Sequence, residues 1–316
     1  MLTGIFSYLV FFACIVLILG IVTLGLNLQW GFTGLFNAGV VGFYAIGAYT
    51  HAILTAAPQP QYLGNFGLPW IVGVFAAMAV TAFAAWVIGL LTIGLRGDYL
   101  AIASFGIAVS IQLVTLNWEA LTGGSQGLSR IPKPLAGVFD SPLAFNLWFL
   151  VLLAALTAAI YVALERILRS PWGRVLRAIR EDEVAALALG KSARRFRLEA
   201  FVLGSTLMGL AGALYVSFIG YVSPFDFLPI LTFQVWAMLI LGGSGNNRGA
   251  LLGALVVWGI WAASGVAVTK LVPPSQAAQG GAIQVILIGL VLVLVLLLRP
   301  RGLIGEAAVV SRHADD

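Results

Sequence analysis

Residues 5–26 read Ile5-Phe6-Ser7-Tyr8-Leu9-Val10-Phe11-Phe12-Ala13-Cys14-Ile15-Val16-Leu17-Ile18-Leu19-Gly20-Ile21-Val22-Thr23-Leu24-Gly25-Leu26, without one charged side chain. About 20 predominantly apolar residues suffice to carry a helix across the hydrocarbon core of a bilayer. The rest of the chain is of the same kind: of 316 residues, 61% are hydrophobic and 9% charged. A soluble domain carries about a quarter charged residues, so a soluble enzyme, a disordered tail and a coiled coil are excluded. The 37 glycines and nine tryptophans suit membrane helices, which pack closely through small residues and end in aromatic belts. No basic segment precedes the first apolar run, so no cleavable signal is expected.

Further runs fall at 34–56, 68–94, 99–118, 143–164, 198–220, 228–241, 249–268 and 282–298. The expected fold is an all-α polytopic membrane protein with about nine transmembrane helices, within a range of 8–10, forming one membrane domain over 1–316. Run 228–241 is short, and Gly34, Gly39, Gly42 and Gly47 interrupt 34–56, so either suits a broken or re-entrant helix. Small residues at helical spacing (Ala38/Gly42, Ser205/Gly209/Ala213, Gly249/Gly253) predict close helix crossings.

Basic residues set the orientation. Segment 165–199 holds nine of 17 basic and five of 12 acidic residues, which is +4 of the chain's net +5. That loop is therefore expected in the cytoplasm. Nine crossings then bring Arg96, Arg248, Arg299, Arg301 and Arg312 to the same side, leaving Arg130, Lys133 and Lys270 outside. The N-terminus is expected outside, and the short tail 299–316 inside.

Ion-coupled carriers keep ionisable groups at bilayer depth. Here Asp98, Glu119, Asp226 and Lys270 fall at expected span ends. His51 alone lies well inside a span, and it reads as a neutral imidazole bonded to a neighbouring helix. One cysteine and two histidines make a zinc or haem site very improbable. Gly242-Gly243-Ser244-Gly245-Asn246-Asn247-Arg248-Gly249 is glycine-rich but lacks the lysine of a phosphate-cradling loop. Leu121-Thr122-Gly123-Gly124-Ser125-Gln126 is a misspaced likeness of an ABC signature peptide. No catalytic group, cofactor or nucleic-acid partner is expected, and energy for uphill transport must arrive from another chain.

The charged loop carries its own helix signals. Ser170-Pro171 suits an N-cap and first turn. Arg174, Arg177 and Glu181 follow at i+3 and i+4, with an Arg177–Glu181 contact available. Leu176, Ile179 and Leu187 take another side, Ala185 and Ala186 form a small-residue patch, and Gly190 beside Lys191 is a stop. Such a helix suits insertion into a cleft on a cytoplasmic partner. A solvated loop touching anionic lipid fits these residues equally well.

Glu183-Val184-Ala185-Ala186 with Gly190 resembles the EAA-type loop by which permease subunits of ABC importers dock on their ATPase. The wider stretches Ser170-Pro171-Trp172-Gly173-Arg174, Gly42-Phe43-Tyr44-Ala45-Ile46-Gly47-Ala48-Tyr49, Asp98-Tyr99-Leu100-Ala101, Thr122 through Leu128 and Arg299-Pro300-Arg301-Gly302-Leu303 resemble the permease family of branched-chain amino acid importers, in its M-type subunit. The chain departs from that pattern at Asn37-Ala38-Gly39-Val40, where an apolar residue replaces a common polar one. It departs again at Asn246-Asn247-Arg248-Gly249, where Trp-Gly-Pro is frequent.

The resemblance implies an ABC importer permease fold in the bacterial inner membrane. It implies a heterodimer with a paralogous permease, two cytoplasmic ATPase subunits beneath it, and a periplasmic solute-binding protein that Thr122–Leu128 would meet. ATP-driven closure would pull the docking helices and reorient the permeases. Arg177, Arg180, Glu181, Glu183, Ala185, Ala186 and Gly190 would carry that coupling. Asn37, Gly42, Tyr44, Ser104, Gln112 and Gln234 are candidates for the translocation path, although the polar ones equally suit interhelical hydrogen bonds. The solute would be a branched-chain amino acid. Urea, short amides and other neutral amino acids are alternatives, and so is a self-sufficient channel.

Overall fold

The computed structural model describes residues 2–95, 97–135, 137–139, 141–271, 277–298 and 302–306. Arg96, Arg299, Arg301, Arg312 and the side chain of Lys270 lie outside the described residues, as does most of the expected tail. Among the described residues the fold is all-helical, with α1 (Leu2–Gln29), α2 (Val40–Thr55), α3 (Trp70–Thr92), α4 (Gly97–Asn117), α5 (Glu119–Thr122), α6 (Pro142–Arg169), α7 (Pro171–Glu181), α8 (Glu183–Ala188), α9 (Ala193–Ile219), α10 (Pro229–Gly242), α11 (Asn247–Leu271) and α12 (Ala277–Leu298). The β-structure described is an isolated bridge, Leu128 to Val222.

Each apolar run of the sequence forms a helix, because a backbone in hydrocarbon must satisfy its own polar groups. The expected count of nine crossings is not confirmed. Six described helices are long and apolar enough to span, namely Gly4–Gln29, Trp70–Thr92, Gly97–Asn117, Pro142–Arg169, Ala193–Ile219 and Asn247–Val268. Helices α2 and α10 are apolar but shorter, with 16 and 14 residues. Several side chains of α12 and both its flanks lie outside the described residues.

Burial divides the spans into two classes. In α1 and α9, 72% of the most apolar stretch is buried within the chain, against 22–28% in α3, α4, α6 and α11. Helix α9 is central and packs on α1, α2 and α3. It approaches them through glycine: a Cβ on Gly47 would overlap the Gly209 carbonyl, one on Gly212 the Tyr44 carbonyl, and one on Gly25 would lie 2.5 Å from the Gly204 oxygen. Of the small-residue spacings read from the sequence, Gly209, Gly249 and Gly253 lie at close helix contacts, whereas Ala38 falls in the non-helical stretch 34–39 and so forms no helical pair with Gly42.

Both short helices begin after an irregular segment. Residues 34–39 are non-helical, and Gly34 has a left-handed φ of +73°. Trp30, Phe36 and Trp236 hold this segment with ring centroids 4.4–5.3 Å apart. Before α10, Ser223 and Asp226 form a capping box over the turn Pro224–Phe227. The two helix starts meet where Val41 N donates to Thr232 Oγ1 at 3.2 Å. Irregular backbone at such a place persists only where protein or a wet cavity covers it.

Candidate functional site

Helix α7 starts at Pro171 with Ser170 in the N-cap position, as its sequence dictates. The Ser170 hydroxyl, however, donates to the Ile167 carbonyl at 2.6 Å instead of capping α7. Leu176 and Ile179 are fully buried. Asp182 adopts extended backbone, and its carboxylate accepts from Ala185 N at 3.0 Å, starting α8 on a new phase. Helix α8 ends in a Schellman motif: Gly190 N donates to Leu187 O, Lys191 N donates to Ala186 O, and Gly190 takes a φ of +75°.

The break at Asp182 reassigns several faces. Ala186 is buried with Ile179 and Ala193, while Ala185 is exposed. Leu187 does not share the buried side of Leu176 and Ile179; it is 52% exposed, between Val184 at 76% and Leu189 at 78%. The Arg177–Glu181 pair does not form. Arg177 Nη2 donates to Leu168 O at 2.7 Å, and Glu181 lies 3.5 Å from Arg180. Glu183 pairs with Arg197 at 2.8 Å, tying α8 to the N-terminal part of α9.

Arg180 is where α7 is fastened to the end of α1 and to Glu306. Its Nη1 donates to the Gly31 carbonyl just past α1, and its Nη2 contacts Glu306 at 2.9 Å. Glu306 ends a strap, residues 302–306, that lies against the α10–α11 turn. Leu303 N donates to Leu241 O at 2.8 Å, Ile304 N donates to Gly242 O at 2.9 Å, and Asn246 Nδ2 donates to Gly305 O at 3.1 Å. Beside it, Asn27 Nδ2 donates to Asn247 Oδ1 at 2.9 Å, and Asn247 Nδ2 donates to Glu165 Oε1 at 3.0 Å. The departure Asn246-Asn247-Arg248 therefore supplies the amides that join α1, α6 and α11. The ends of α1, α6, α7, α10 and the strap form one layer.

The path candidates separate into structural and open groups. Asn37 is fully used: Nδ2 donates to Gln29 Oε1 at 2.8 Å, Oδ1 accepts from Gly39 N at 2.7 Å, and its carbonyl accepts from Trp236 Nε1 at 3.0 Å. Gln29 Nε2 continues that network to the Phe201 carbonyl and Ser205. Ser104 accepts from Ala38 N and donates to Ala101 O, both at 3.0 Å. Gly42 packs against Ala108, and Gln112 lies half-buried on α4. Tyr44 and Gln234 alone of the six share a cavity, of about 200 Å³, between α1, α2, α9, α10 and α11. Sequence reasoning missed Gly31, Glu306, Gln29 and Asp226 as members of these clusters.

His51 is buried and its Nε2 lies 3.0 Å from Ser217 Oγ on α9, the neighbouring-helix bond expected of it. Thr122 to Leu128 forms a folded lip, with Thr122 Oγ1 donating to Thr115 O at 2.6 Å and Tyr221 OH donating to Gln126 O at 2.7 Å. Among the described residues no three His, Cys, Asp or Glu side chains converge as metal ligands.

Comparison with known proteins adds to this geometry. A family model described as branched-chain amino acid transport system, permease component, matches residues 8–296. The high-affinity branched-chain amino acid transport system permease protein LivM of Escherichia coli K12 is 33% identical over 92% of this chain and 69% of its own. The probable branched-chain amino acid transport permease LivM of Methanocaldococcus jannaschii is 30% identical over 74% of this chain and 75% of its own. The LivH permease of Salmonella typhimurium is 24% identical over 92% of both chains. No solved structure matches.

Proposed function

Because the chain belongs to the branched-chain amino acid transport permease family, we propose that it is the gate subunit of an ATP-driven importer, docked through α7 and α8 onto a cytoplasmic ATPase. The observation that carries this reading is the exposed apolar crest Val184, Leu187 and Leu189 on the charged segment 165–199. Exposed apolar side chains inside a polar rim mark a contact for another protein. Arg177, Arg180, Glu181, Glu183, Ala185, Ala186 and Gly190 shape and anchor that crest. Relatives of both the LivM and LivH kinds support pairing with a paralogous permease. A periplasmic binding protein would deliver the solute at the lip Thr122–Leu128, and two ATPase subunits would sit below.

The chain is a transport permease and not an enzyme. Chain 1–316 acts as one permease domain in the inner membrane. The layer joining the ends of α1, α6 and α10 to α7 and the strap supports a cytoplasmic 302–306, an outside N-terminus and nine passes, with α2 and α10 as the short ones. Asn37, Gly42, Ser104 and Gln112 shape the path, and Tyr44 and Gln234 face the solute.

The test is reconstitution. Leucine uptake by the assembled importer should be ATP-dependent and suppressed by isoleucine and valine but not urea. Replacing Leu187 and Leu189 by aspartate should release the ATPase on co-purification and abolish uptake, with the permease still in the membrane. Retained ATPase binding would overturn the docking assignment, and accumulation by the solitary chain would overturn the importer reading in favour of a self-sufficient carrier.

A further inference from the structure

The cavity shared by Tyr44 and Gln234 has more structure than a packing defect. Its volume of about 200 Å³ equals roughly seven waters at ~30 Å³ each, below the ~300 Å³ at which drug-sized pockets begin. It suits a small ligand. Ile18, Leu19 and Leu231 give it an aliphatic wall, and Tyr215 and Asp226 line it as well.

Two of its side chains lack partners, and a third is only half used. Tyr44 is 3% and Gln234 7% exposed, and among the described residues neither side chain has a hydrogen-bond partner. Buried polar side chains are ordinarily bonded, and an exception calls for an explanation. Asp226 uses one oxygen to accept from Ser223 N at 3.0 Å, and among the described residues no cation pairs with it. Burial pushes its carboxyl above the ordinary carboxylate range, against the Ser223 bond that lowers it. The cavity also meets the first turn of α10 at Ile230 and Leu231. There Pro229 has no N–H and Leu231 N donates to Leu228 O at 3.0 Å, so what the end of α10 offers the cavity is chiefly its positive dipole.

We propose that this cavity holds the zwitterionic head group of a neutral aliphatic amino acid: Asp226 takes the ammonium, the α10 N-terminus with Gln234 and Tyr44 takes the carboxylate, and the aliphatic wall takes the side chain. This rests on the importer reading and names a point on its path. A carboxylate, two unpartnered polar side chains and a helix N-terminus around one small cavity match the two charges of an α-amino acid. Urea has neither charge to offer, and a carboxylic acid without the amine would meet Asp226 as a like charge.

Saturation-transfer NMR on the full chain in lipid nanodiscs detects a ligand this weakly held. The methyl groups of leucine should receive saturation from the wild type, and those of 4-methylpentanoate, which lacks the ammonium, should not. Asp226→Asn preserves an acceptor for Ser223 N and so the turn, and removes only the charge. It should cut the leucine signal at least fivefold, and Gln234→Leu should cut it at least twofold. An unchanged leucine signal in Asp226→Asn, or equal signals from the two ligands in the wild type, would overturn the site. Uptake by the assembled importer keeps the two readings apart: wild-type leucine uptake beside an unchanged Asp226→Asn signal removes this site and leaves the importer. Absence of ATP-dependent leucine uptake in the wild type removes the importer reading itself.

Discussion

The layer around α7 and the interior around α9 are held together by opposite means. In the layer, Arg180, Glu306, Glu183 and Arg197 make ion pairs at 2.8–2.9 Å. In the interior, Gln29, Asn37, Ser205 and His51 bond through neutral groups, and helices touch at glycine. The difference follows from desolvation. A charge beside water costs little and gains little from its partner, whereas an ion at bilayer depth is expensive. The interior is therefore specified by shape, and the layer by charge that a partner or salt can compete for.

Shape should be the harder of the two to violate. Gly209→Val drives a side chain into Thr81, whose atoms already surround the Cβ position. Overpacking a tight core costs ~1–3 kcal/mol or more, and this variant should be lost from monodisperse material on size-exclusion chromatography. Gly106 has nothing within 4 Å of its Cβ position, so Gly106→Ala should elute and transport like the parent. Parity between these two would dissolve the contrast.

Charge in the docking layer comes next. Glu183→Lys sets two cations together at Arg197, and Gly190→Arg puts a long side chain on a residue with φ +75° and open space around it. Both should abolish leucine uptake, by more than tenfold, while the chain still inserts and the loaded binding protein still engages. Normal coupling of ATP hydrolysis to uptake in either would detach α8 from the ATPase.

A smaller effect is expected at the fastening point. The Arg180 and Glu306 side chains are 23% and 34% exposed, which limits their pair to about 1 kcal/mol. Glu306→Gln should lower the melting temperature by about 2–4 °C or less, and high salt should erase the difference. Arg180→Ala should cost more, because the bond to the Gly31 carbonyl goes with it.

The mildest probe is pH. Burial raises the Asp226 carboxyl above its ordinary value, with Tyr44, Tyr49 and Tyr215 as the titratable neighbours. A raised carboxyl binds its proton more readily folded than unfolded, so this group opposes stability at high pH; the penalty starts to lift as pH falls through its folded value and is gone below its unfolded one. Uptake should do the reverse, declining on acidification as the carboxylate is neutralised, with a midpoint above the usual carboxylate range. Asp226→Asn should flatten that limb.

Much of this architecture was legible in composition. Apolar runs mark every long helix, because length and hydropathy decide what a bilayer accepts. The interruption read into 34–56 is real but sits at 34–39, ahead of α2; Gly42 and Gly47 are helical and serve crossings instead. Contacts between distant residues were not legible. Arg180 and Glu306 are 126 positions apart, and no local periodicity announces a partner at that range. Leu187 was misassigned because one extended residue, Asp182, resets the helical phase. Asn37 and Tyr44 looked alike as polar residues in an apolar run, and only their surroundings separate a satisfied amide from an unpartnered phenol.

The strap at 302–306 has a bearing on biogenesis. It follows α12 in the chain, so Glu306 leaves the ribosome after α1 to α12 have been made. Until then Arg180 lacks the Glu306 carboxylate, and its bond to the Gly31 carbonyl and its contact with Glu181 hold it alone. Synthesis order thereby bears on α7: a chain stalled before residue 302 lacks one of the contacts that hold Arg180 in place.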